Sequence, residues 1–402
     1  MESFEGRFEK YSKDVSDAAK NNSIKIAISR AVINTEKNID EVMRFYPDTQ
    51  DLANEVRKIK EYSIDNMDEL VKKAREEMEK NHCKTYFAKD QNEVYKIVDG
   101  IVGNKKNVVK AKSITTEEIS LREHLEEIGK DVIETDVGEF IVQKLNTRPM
   151  HILGPSLHVP REEVAELIEK ITGKNINKDD LDGMVEEIRN ILREKFMKAE
   201  VGISGANVIA ADTGTIFIIE NEGNARLTTG LPPVHIVIVG IEKVVPKLDD
   251  AFKVAEVTWR YSGFKAPQYV SLITGVSTTS DIEANRIFGV DGPKEIHVIF
   301  LDNHRKEMAK TIFKEALYCL RCGRCMFECP VFQIIAGHFG QKYMGGIGAI
   351  WDTFILGKDA AAPEAFTCAV CGKCYLVCPM KINTPELIPN LRAYIRGEEY
   401  GF

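Results

Sequence analysis

The sequence predicts an α/β domain that lies between two helical regions, the second of which is rich in cysteine. Three observations support this fold class. Apolar stretches of strand length alternate with helical stretches through the middle of the chain, as in α/β domains with a largely parallel sheet. Apolar residues recur at helical spacing before that region, and two cysteine runs follow it. We therefore expect a helical segment at 1–82, an α/β domain at 83–305 and an α-helical domain at 306–402.

The first 82 residues carry apolar side chains at the spacing of amphipathic helices. The clearest helix begins at Asp48–Asp51, because acidic residues can cap free N–H groups and suit the helix dipole. Its apolar stripe starts with Leu52, Val56 and Ile59 and continues to Met78. Most surface helices have one apolar face, so we expect this segment to pack against the following domain.

The α/β region is predicted from short apolar runs that alternate with longer amphipathic ones. The predicted strands are Val108–Val109, Asp131–Glu134, His151–Leu153, Val201–Ile203, Thr215–Ile219, Val234–Val239, Val270–Ile273 and Ile296–Leu301. The predicted helices are Thr116–Ile128, Arg161–Lys170, Leu181–Phe196 and Leu248–Trp259. The nearly continuous apolar runs are those expected of strands that are covered on both faces.

Two cysteine runs near the end of the chain share one spacing. Cys319–Pro330 and Cys368–Pro379 both follow the pattern C-x₂-C-x₂-C-x₃-C-P, which ligates [4Fe–4S] clusters. In two-cluster proteins of this kind, the fourth cysteine of each run binds the other cluster. We therefore predict two [4Fe–4S] clusters with these ligands: Cys319, Cys322, Cys325 and Cys378 for the first, and Cys368, Cys371, Cys374 and Cys329 for the second.

Structural zinc sites and disulfides are the alternatives for these cysteines. Paired C-x₂-C elements can form a structural zinc site with four ligands. Each run here differs from that pattern, because it has a third spaced cysteine and a fourth before proline. Disulfides are typical of secreted proteins, and the acidic N-terminus has no secretory signal. The ninth cysteine, Cys83, stands alone and is expected to be a small buried hydrophobic residue.

The segment between the two cysteine runs is long and apolar. Phe339, Ile350, Trp351 and Phe354 are among residues that predict helices, so a helical ferredoxin domain is expected. No Gly- or Ser-rich linker separates this domain from the α/β domain, which favours rigid coupling between them. A last helix is predicted over Pro385–Arg396.

Composition excludes several classes of function. The formal net charge of −8 argues against a nucleic-acid-binding surface and does not favour binding to anionic membranes. No apolar run approaches the ~18 residues of a transmembrane helix. Eight clustered cysteines and one spare thiol fit a reducing compartment, so we expect a cytoplasmic protein.

The densest group of polar residues in the α/β region lies between Gly202 and Lys243. Turns that follow parallel strands can hold anionic ligands through backbone N–H groups, and Arg226 could pair with a carboxylate or phosphate. The candidate residues for binding a small anionic ligand are Asp212, Thr213, Glu222, Asn224, Arg226 and His235. The alternatives are that the Asp and Asn residues only form turns and that His235 is a hydrogen-bonded core residue.

No flavin or nicotinamide fingerprint is visible, because no G-x-G-x-x-G motif follows a strand. No Ser/His/Asp order, Walker loop or histidine-based metal set is present either. The catalytic residues are therefore unknown, and only Glu222 and His235 are candidates for a proton acceptor.

The chain resembles the LutB/LldF family, the iron–sulfur subunit of the L-lactate utilisation complex, over roughly residues 50 to 385. The stretches that carry the resemblance are Lys110–Ile119, Glu134–Glu139, Ile203–Arg226, Val234–Pro246, Asp291–Pro293, Gly337–His338 and Gly346–Ala349. The resemblance implies a LUD domain, similar to the folds of sugar-phosphate isomerases and CoA transferases, fused to a two-cluster ferredoxin domain. Those folds bind anionic ligands at strand ends, which favours a ligand site at 202–226.

The function implied by the resemblance is electron transfer in a cytoplasmic complex that oxidises lactate or another 2-hydroxyacid. The partners would be the other subunits of that complex and an external electron acceptor. The alternatives are a ligand sensor that uses the LUD cleft, an electron-transfer subunit for a different organic substrate, and a CoA-transferase-like enzyme with structural clusters.

Overall fold

The computed structural model of the chain describes residues 4–398. It begins with four helices: α1 (Phe4–Lys20), α2 (Asn22–Phe45), α3 (Thr49–Asp65) and α4 (Met67–Lys80). The third begins where the acidic start predicts it, although the Asp48 side chain makes no capping hydrogen bond and instead accepts one from Arg260, 3.1 Å away. None of the helices in the described residues is long and apolar enough to cross a lipid bilayer.

The α/β region has a largely parallel sheet, as the sequence predicts. Its elements are β1 (Lys84–Ala88), α5 (Gln91–Val102), β2 (Asn107–Lys110), α6 (Ile114–Glu118), α7 (Leu121–Glu127), β3 (Asp131–Glu134), α8 (Val137–Leu145), α9 (Arg161–Thr172), α10 (Leu181–Lys198), β4 (Val201–Ser204), β5 (Val208–Ala210), β6 (Thr215–Glu220), α11 (Asn224–Gly230), β7 (Val234–Gly240), β8 (Val244–Val245), α12 (Leu248–Tyr261), β9 (Tyr269–Ile273), β10 (Thr278–Thr279), β11 (Ile287–Phe288) and β12 (Glu295–Leu301). The six-stranded sheet has the order β1-β12-β7-β4-β2-β3, and every pair in it is parallel.

Two predicted strands belong to a second sheet. The strands β6 and β9 pair antiparallel in a four-stranded sheet of order β8-β5-β6-β9. The remaining two short strands, β10 and β11, form a separate antiparallel ribbon. The β5–β6 pair is a hairpin, so its turn points away from the residues that precede β5. Polar residues in this turn and polar residues that precede β5 therefore lie at opposite ends of the hairpin.

The prediction of a strand at His151–Leu153 is wrong. This stretch is irregular, and its apolar character comes from packing rather than from pairing. The buried ring of His151 stacks on Phe327 at 4.0 Å between centroids and accepts a hydrogen bond from the Leu153 N–H at 3.0 Å. The run therefore joins the α/β region to the cysteine-rich region instead of extending the sheet.

The end of the described chain is helical. It contains α13 (Arg305–Met308), a 3₁₀ helix (Ile312–Tyr318), α14 (Arg324–Glu328), α15 (Pro330–Ile335), a 3₁₀ turn (Ala336–His338), α16 (Gly345–Ile355), α17 (Lys358–Thr367), α18 (Lys373–Val377) and α19 (Thr384–Arg396). The apolar insert between the cysteine runs forms α15 to α17, which confirms the prediction of a helical ferredoxin-like region. Trp351 lies buried in α16, and its Nε1–H donates to the Ala316 carbonyl at 3.2 Å.

The N-terminal helices contact both of the other regions. Helices α3 and α4 pack on the α/β region, against α12, β1 and β8. Helices α1 and α2 reach further and pack on α14, α15 and α17 of the cysteine-rich region. The expected contact with the α/β region is therefore present, and the segment also ties the two regions together.

A buried ion network forms the centre of the joint between the regions. The Arg305 guanidinium donates to both carboxylate oxygens of Glu118, at 2.9 and 2.8 Å, and also to Glu242. Arg321, from the first cysteine run, donates to Glu242 at 3.2 Å, and the Tyr343 hydroxyl donates to Glu118 at 2.6 Å. Against the effect of burial, the neighbouring arginines lower the pKa of Glu242 to about 2. Glu242 is therefore charged at neutral pH.

Replacement of Glu118 by Gln should destabilise the protein strongly. The substitution leaves the buried Arg305 with one carboxylate instead of two, and loss of one member of a buried ion pair costs roughly 3–5 kcal/mol. The midpoint of urea unfolding measures the loss. The control is Glu76→Gln, because Glu76 is paired with Lys72 at 3.9 Å on an exposed face. This substitution should change the free energy of unfolding by about 0.5 kcal/mol or less. Equal midpoints for Glu118→Gln and the control would show that the network does not hold the joint.

Candidate functional site

All eight cysteines of the two runs line one cavity between α14, α16 and α18. Both runs fold in the same way. The residues two positions after the first cysteine, Arg321 and Val370, have φ of +61° and +53°, and the glycines Gly323 and Gly372 have φ of +78° and +82°. A positive φ is costly for a β-branched residue such as Val370. Its recurrence at the same place in both loops shows that the two cysteine runs share one backbone conformation.

The fourth cysteine of each run lies beside the other run. Burial raises the pKa of the Cys378 thiol to about 11, and the proximity of Cys319 adds to the shift. Burial likewise raises the pKa of Cys329, with Cys368 and Cys371 as the neighbouring thiols. The proximities thus connect each fourth cysteine to the opposite run.

The nine cysteines are all free thiols, so the disulfide alternative has no support among the described residues. Within residues 4–398, no group of three or more His, Cys, Asp or Glu side chains is close enough to hold a single metal ion. The eight thiols are instead spread around a shared cavity. The ninth, Cys83, is buried away from them, and desolvation raises its pKa to about 11.

A second cavity, of about 300 Å³, opens at the carboxyl ends of the parallel strands. We call it the cleft. The last residue of β4 and residues that follow β2, β3, β4 and β7 supply much of its polar lining, including Lys112, Ser113, Asp136, Ser204, Asn207 and Lys243. Ligands of open α/β sheets bind at this edge, and the volume lies at the lower end of the range of ligand pockets.

Two of the six predicted binding residues line the cleft. Glu222 and Asn224 are at its rim, where Asn224 donates to the Thr135 hydroxyl at 3.2 Å. Glu222 accepts a hydrogen bond from the Val137 N–H at 3.1 Å. Desolvation of its carboxylate, together with the nearby Asp136, raises the pKa of Glu222 to about 7 although the residue is partly open to solvent.

The other four predicted residues do not line the cleft. Asp212 and Thr213 lie in the turn of the β5–β6 hairpin, at the opposite end from the cleft and close to α4. Arg226 is exposed on an outer face, with its guanidinium 4.5 Å from the ring centroid of Tyr269. His235 is fully buried in β7, where its Nε2 lies 2.8 Å from the Ser204 Oγ and burial lowers its pKa to about 3.

The sequence carried a signal for most of the cleft residues that were not predicted. Lys112, Asp136 and Lys243 each follow the end of a predicted parallel strand by two to four residues, which is where the rule for open α/β sheets places ligands. Lys60 carried no such signal, since it interrupts the apolar stripe of α3 far from the sheet in sequence. Only the packing of the N-terminal helices brings it into the cleft.

The cleft and the cysteine cavity share a wall. Ile114, Ile152 and the backbone segment Cys319–Arg321 line both cavities. A ligand in the cleft would therefore contact the same loop that carries the first cysteine of the first run. The arrangement places a binding site directly against a thiol-lined site.

Comparisons with known proteins agree with this two-part architecture. The model of the LUD domain family matches residues 71–301, and the model of the 4Fe-4S dicluster domain matches residues 315–382. Among curated proteins, lactate utilization protein B of Bacillus thuringiensis (strain Al Hakam) is 32% identical over 389 residues, which cover 96% of this chain and 79% of that protein. The protein of the same name from Bacillus cereus (strain AH187) has the same identity and coverage.

Among solved structures, the chain is similar to a DUF162 family protein from Deinococcus radiodurans. The match covers 58% of this chain and 98% of that chain, with a TM-score of 0.34 and 13% identity.

Gly205→Ala should destabilise the protein and deform the cleft. A Cβ at this position would lie 2.3 Å from the Ser113 Oγ and 2.9 Å from its Cβ, too close for the short side chain to avoid. We expect a loss of roughly 1–3 kcal/mol in the free energy of unfolding, as for other overpacked sites. The matched control is Gly100→Ala in α5, where nothing lies within 4 Å; better helix propensity should stabilise that variant by up to about 1 kcal/mol. Chemical denaturation measures both. Unchanged stability of Gly205→Ala would mean that the Ser113 loop moves freely.

Proposed function

Because this chain belongs to the lactate utilization protein B family and joins a LUD domain to a 4Fe-4S dicluster domain, we propose that it is the iron–sulfur electron-transfer subunit of a cytoplasmic complex that oxidises lactate or a related 2-hydroxyacid. In this proposal the cleft of the LUD domain holds a small anionic ligand. The cysteine-rich region passes electrons between that cleft and an acceptor outside the chain.

The wall shared by the cleft and the cysteine cavity carries this proposal. Cys319, Leu320 and Arg321 face both cavities, so a ligand in the cleft would lie one loop away from a cluster held by Cys319. A sensor or a transferase needs no such contact. A chain that carries electrons from a bound substrate does need it, because electron transfer depends on short, fixed distances.

The cysteines fit two [4Fe–4S] clusters. They are free thiols around one cavity, and both loops have left-handed residues at the same two positions. When bound, such a cluster accepts and returns single electrons at a potential set by burial and hydrogen bonds. The proposed ligands are those predicted from the spacing, three from one run and one from the other: Cys319, Cys322, Cys325 and Cys378, and Cys368, Cys371, Cys374 and Cys329.

The buried ion network would hold the cleft and the clusters at a fixed separation. Arg321 belongs to the cysteine loop and is bound to Glu242, which follows the central strand β7. Arg305 binds the same carboxylate from the end of β12. The distance between cleft and clusters is thus set by charged contacts inside the protein rather than by a flexible linker.

A partner is proposed for the two-electron step. Oxidation of a 2-hydroxyacid releases two electrons and two protons, whereas each cluster normally takes one electron. Of the two residues considered as proton acceptors, His235 is buried in the sheet behind Ser204, and Glu222 stands at the rim of the cleft. We therefore assign the removal of hydrogen from the substrate to another subunit of the complex.

Anaerobically purified protein should contain about eight iron atoms per chain, as expected of two four-iron clusters. The crossed ligand sets are tested with Cys329→Ser. Its iron loss and electron paramagnetic resonance spectrum should match those of Cys371→Ser and differ from those of Cys322→Ser. The control is Cys83→Ser, which should keep both clusters because this thiol does not line the cysteine cavity. A Cys329→Ser spectrum that matches Cys322→Ser would refute the crossover, and bound zinc in place of iron would refute the clusters.

The isolated chain, with both clusters intact, should not reduce a redox dye at the expense of L-lactate. Dye reduction should appear when the partner subunits, obtained by co-expression, are added, because they supply the two-electron step. The rate of dye reduction under anaerobic conditions is the measurement. Reduction of the clusters by lactate at a catalytic rate in the isolated chain would show that this subunit performs the oxidation itself. If lactate binds but no electrons reach the clusters even when the partner subunits are present, the sensor alternative would be favoured.

A further inference from the structure

Two lysines of the cleft lack a carboxylate partner. Lys60 reaches into the cleft from α3, is 3% exposed, and donates from Nζ to the backbone carbonyl of Glu242. Lys243 donates from Nζ to the Ala206 carbonyl at 2.9 Å and to the Thr115 hydroxyl at 3.3 Å. Among the described residues, neither ammonium lies within 4.0 Å of a carboxylate oxygen, since neither takes part in an ion pair.

The other cations near the cleft, of which Lys110 is buried and Lys112 half-buried, are paired with carboxylates. Lys110 contacts Glu117 at 2.6 Å and Glu134 at 2.8 Å, and Lys112 contacts Asp136 at 2.7 Å. Burying a charge is costly unless it is paired. The two lysines are therefore exceptions that a ligand of opposite charge would explain.

The charge around the two lysines is positive. Glu118 and Glu242 face four cations, because Arg305 and Arg321 share these carboxylates while Lys60 and Lys243 stand next to them. Burial lowers the pKa of each lysine to about 8, so both are largely protonated at neutral pH. Among these six groups the cations exceed the carboxylates by two, before the anionic cluster proposed at Cys319 is counted.

We propose that Lys60 and Lys243 bind the carboxylate of a small hydroxy-carboxylate ligand at the side of the cleft that adjoins Cys319. This inference deepens the function proposed above, on which it rests, by naming the ligand class and the residues that recognise it. The other polar residues that line the cleft limit the ligand to a single anionic group. Asp136, Glu220 and Glu222 are carboxylates of the same cleft and would repel a second negative group, whereas Ser204 and Asn207 can hydrogen-bond to hydroxyls.

Binding is measured by isothermal titration calorimetry on the oxidised protein with its full iron content and without partner subunits. The probes are L-lactate, its uncharged analogue lactamide, and inorganic phosphate. L-Lactate should bind, and lactamide should not. Lys60→Met and Lys243→Met should each weaken lactate binding roughly 10- to 100-fold, as expected for the loss of a charged hydrogen-bond donor. The control is Lys58→Met, an exposed lysine on the same helix, which should leave the affinity unchanged.

Equal binding of lactamide and lactate would overturn the proposal, and so would unchanged lactate affinity in both lysine variants. Binding of phosphate without lactate would overturn the carboxylate class. If the variants keep their lactate affinity but shift the midpoint potential of the clusters, the lysines balance the charge of the clusters instead. Should a lysine variant lose iron or fail to fold, the comparison of lactate with lactamide on the unmodified chain decides. The titration involves no electron transfer, so its failure is distinct from failure of the proposed relay.

Discussion

The contact between Arg305 and its two carboxylates is the constraint on which the rest of the structure depends. Glu118, Glu242 and Arg305 each follow a strand of the parallel sheet, and all three are fully or almost fully buried. Buried charges of this kind hold their geometry because separation would leave an unpaired charge away from water. Arg321 extends the network into the first cysteine loop. The position of the thiol-lined cavity relative to the sheet is therefore fixed by electrostatics, with the aromatic rings of Tyr343 and Trp351 packed over the guanidinium groups.

The same arrangement explains why the cleft lies where it does. At the carboxyl ends of parallel strands, backbone N–H groups and polar loop residues face one edge of the sheet. In this protein the cysteine-rich region covers that edge. Helix α3 closes another side and contributes Lys60. The cleft is thus assembled from three parts of the chain. Its electrostatic character depends on all three parts, because the paired carboxylates belong to the sheet loops while the cations Lys60, Lys243 and Arg321 come from one part each.

Much of this architecture could be predicted from the sequence, because strands such as Val234–Gly240 and the cysteine spacing are encoded by local patterns. The failures have physical causes. His151–Leu153 is apolar because it packs against Phe327, which no periodicity distinguishes from a strand. Arg226 is predicted as a ligand residue from its type alone, but α11 places it over Tyr269 on the outer face. Lys60 could not be predicted, since a lysine within an apolar helical stripe acquires a role only through contacts about 180 residues away, with Glu242.

The contribution of α3 to the cleft has a consequence for how the protein is made. Lys60 is synthesised first, Lys243 follows, and the loop Cys319–Arg321 comes after both. The sheet can form while the chain is still on the ribosome, but the cleft has only two of its walls at that time. Its last wall arrives with the first cysteine run. A nascent or truncated chain therefore cannot present a finished binding site, and completion of the site is coupled to synthesis of the segment that accepts the metal.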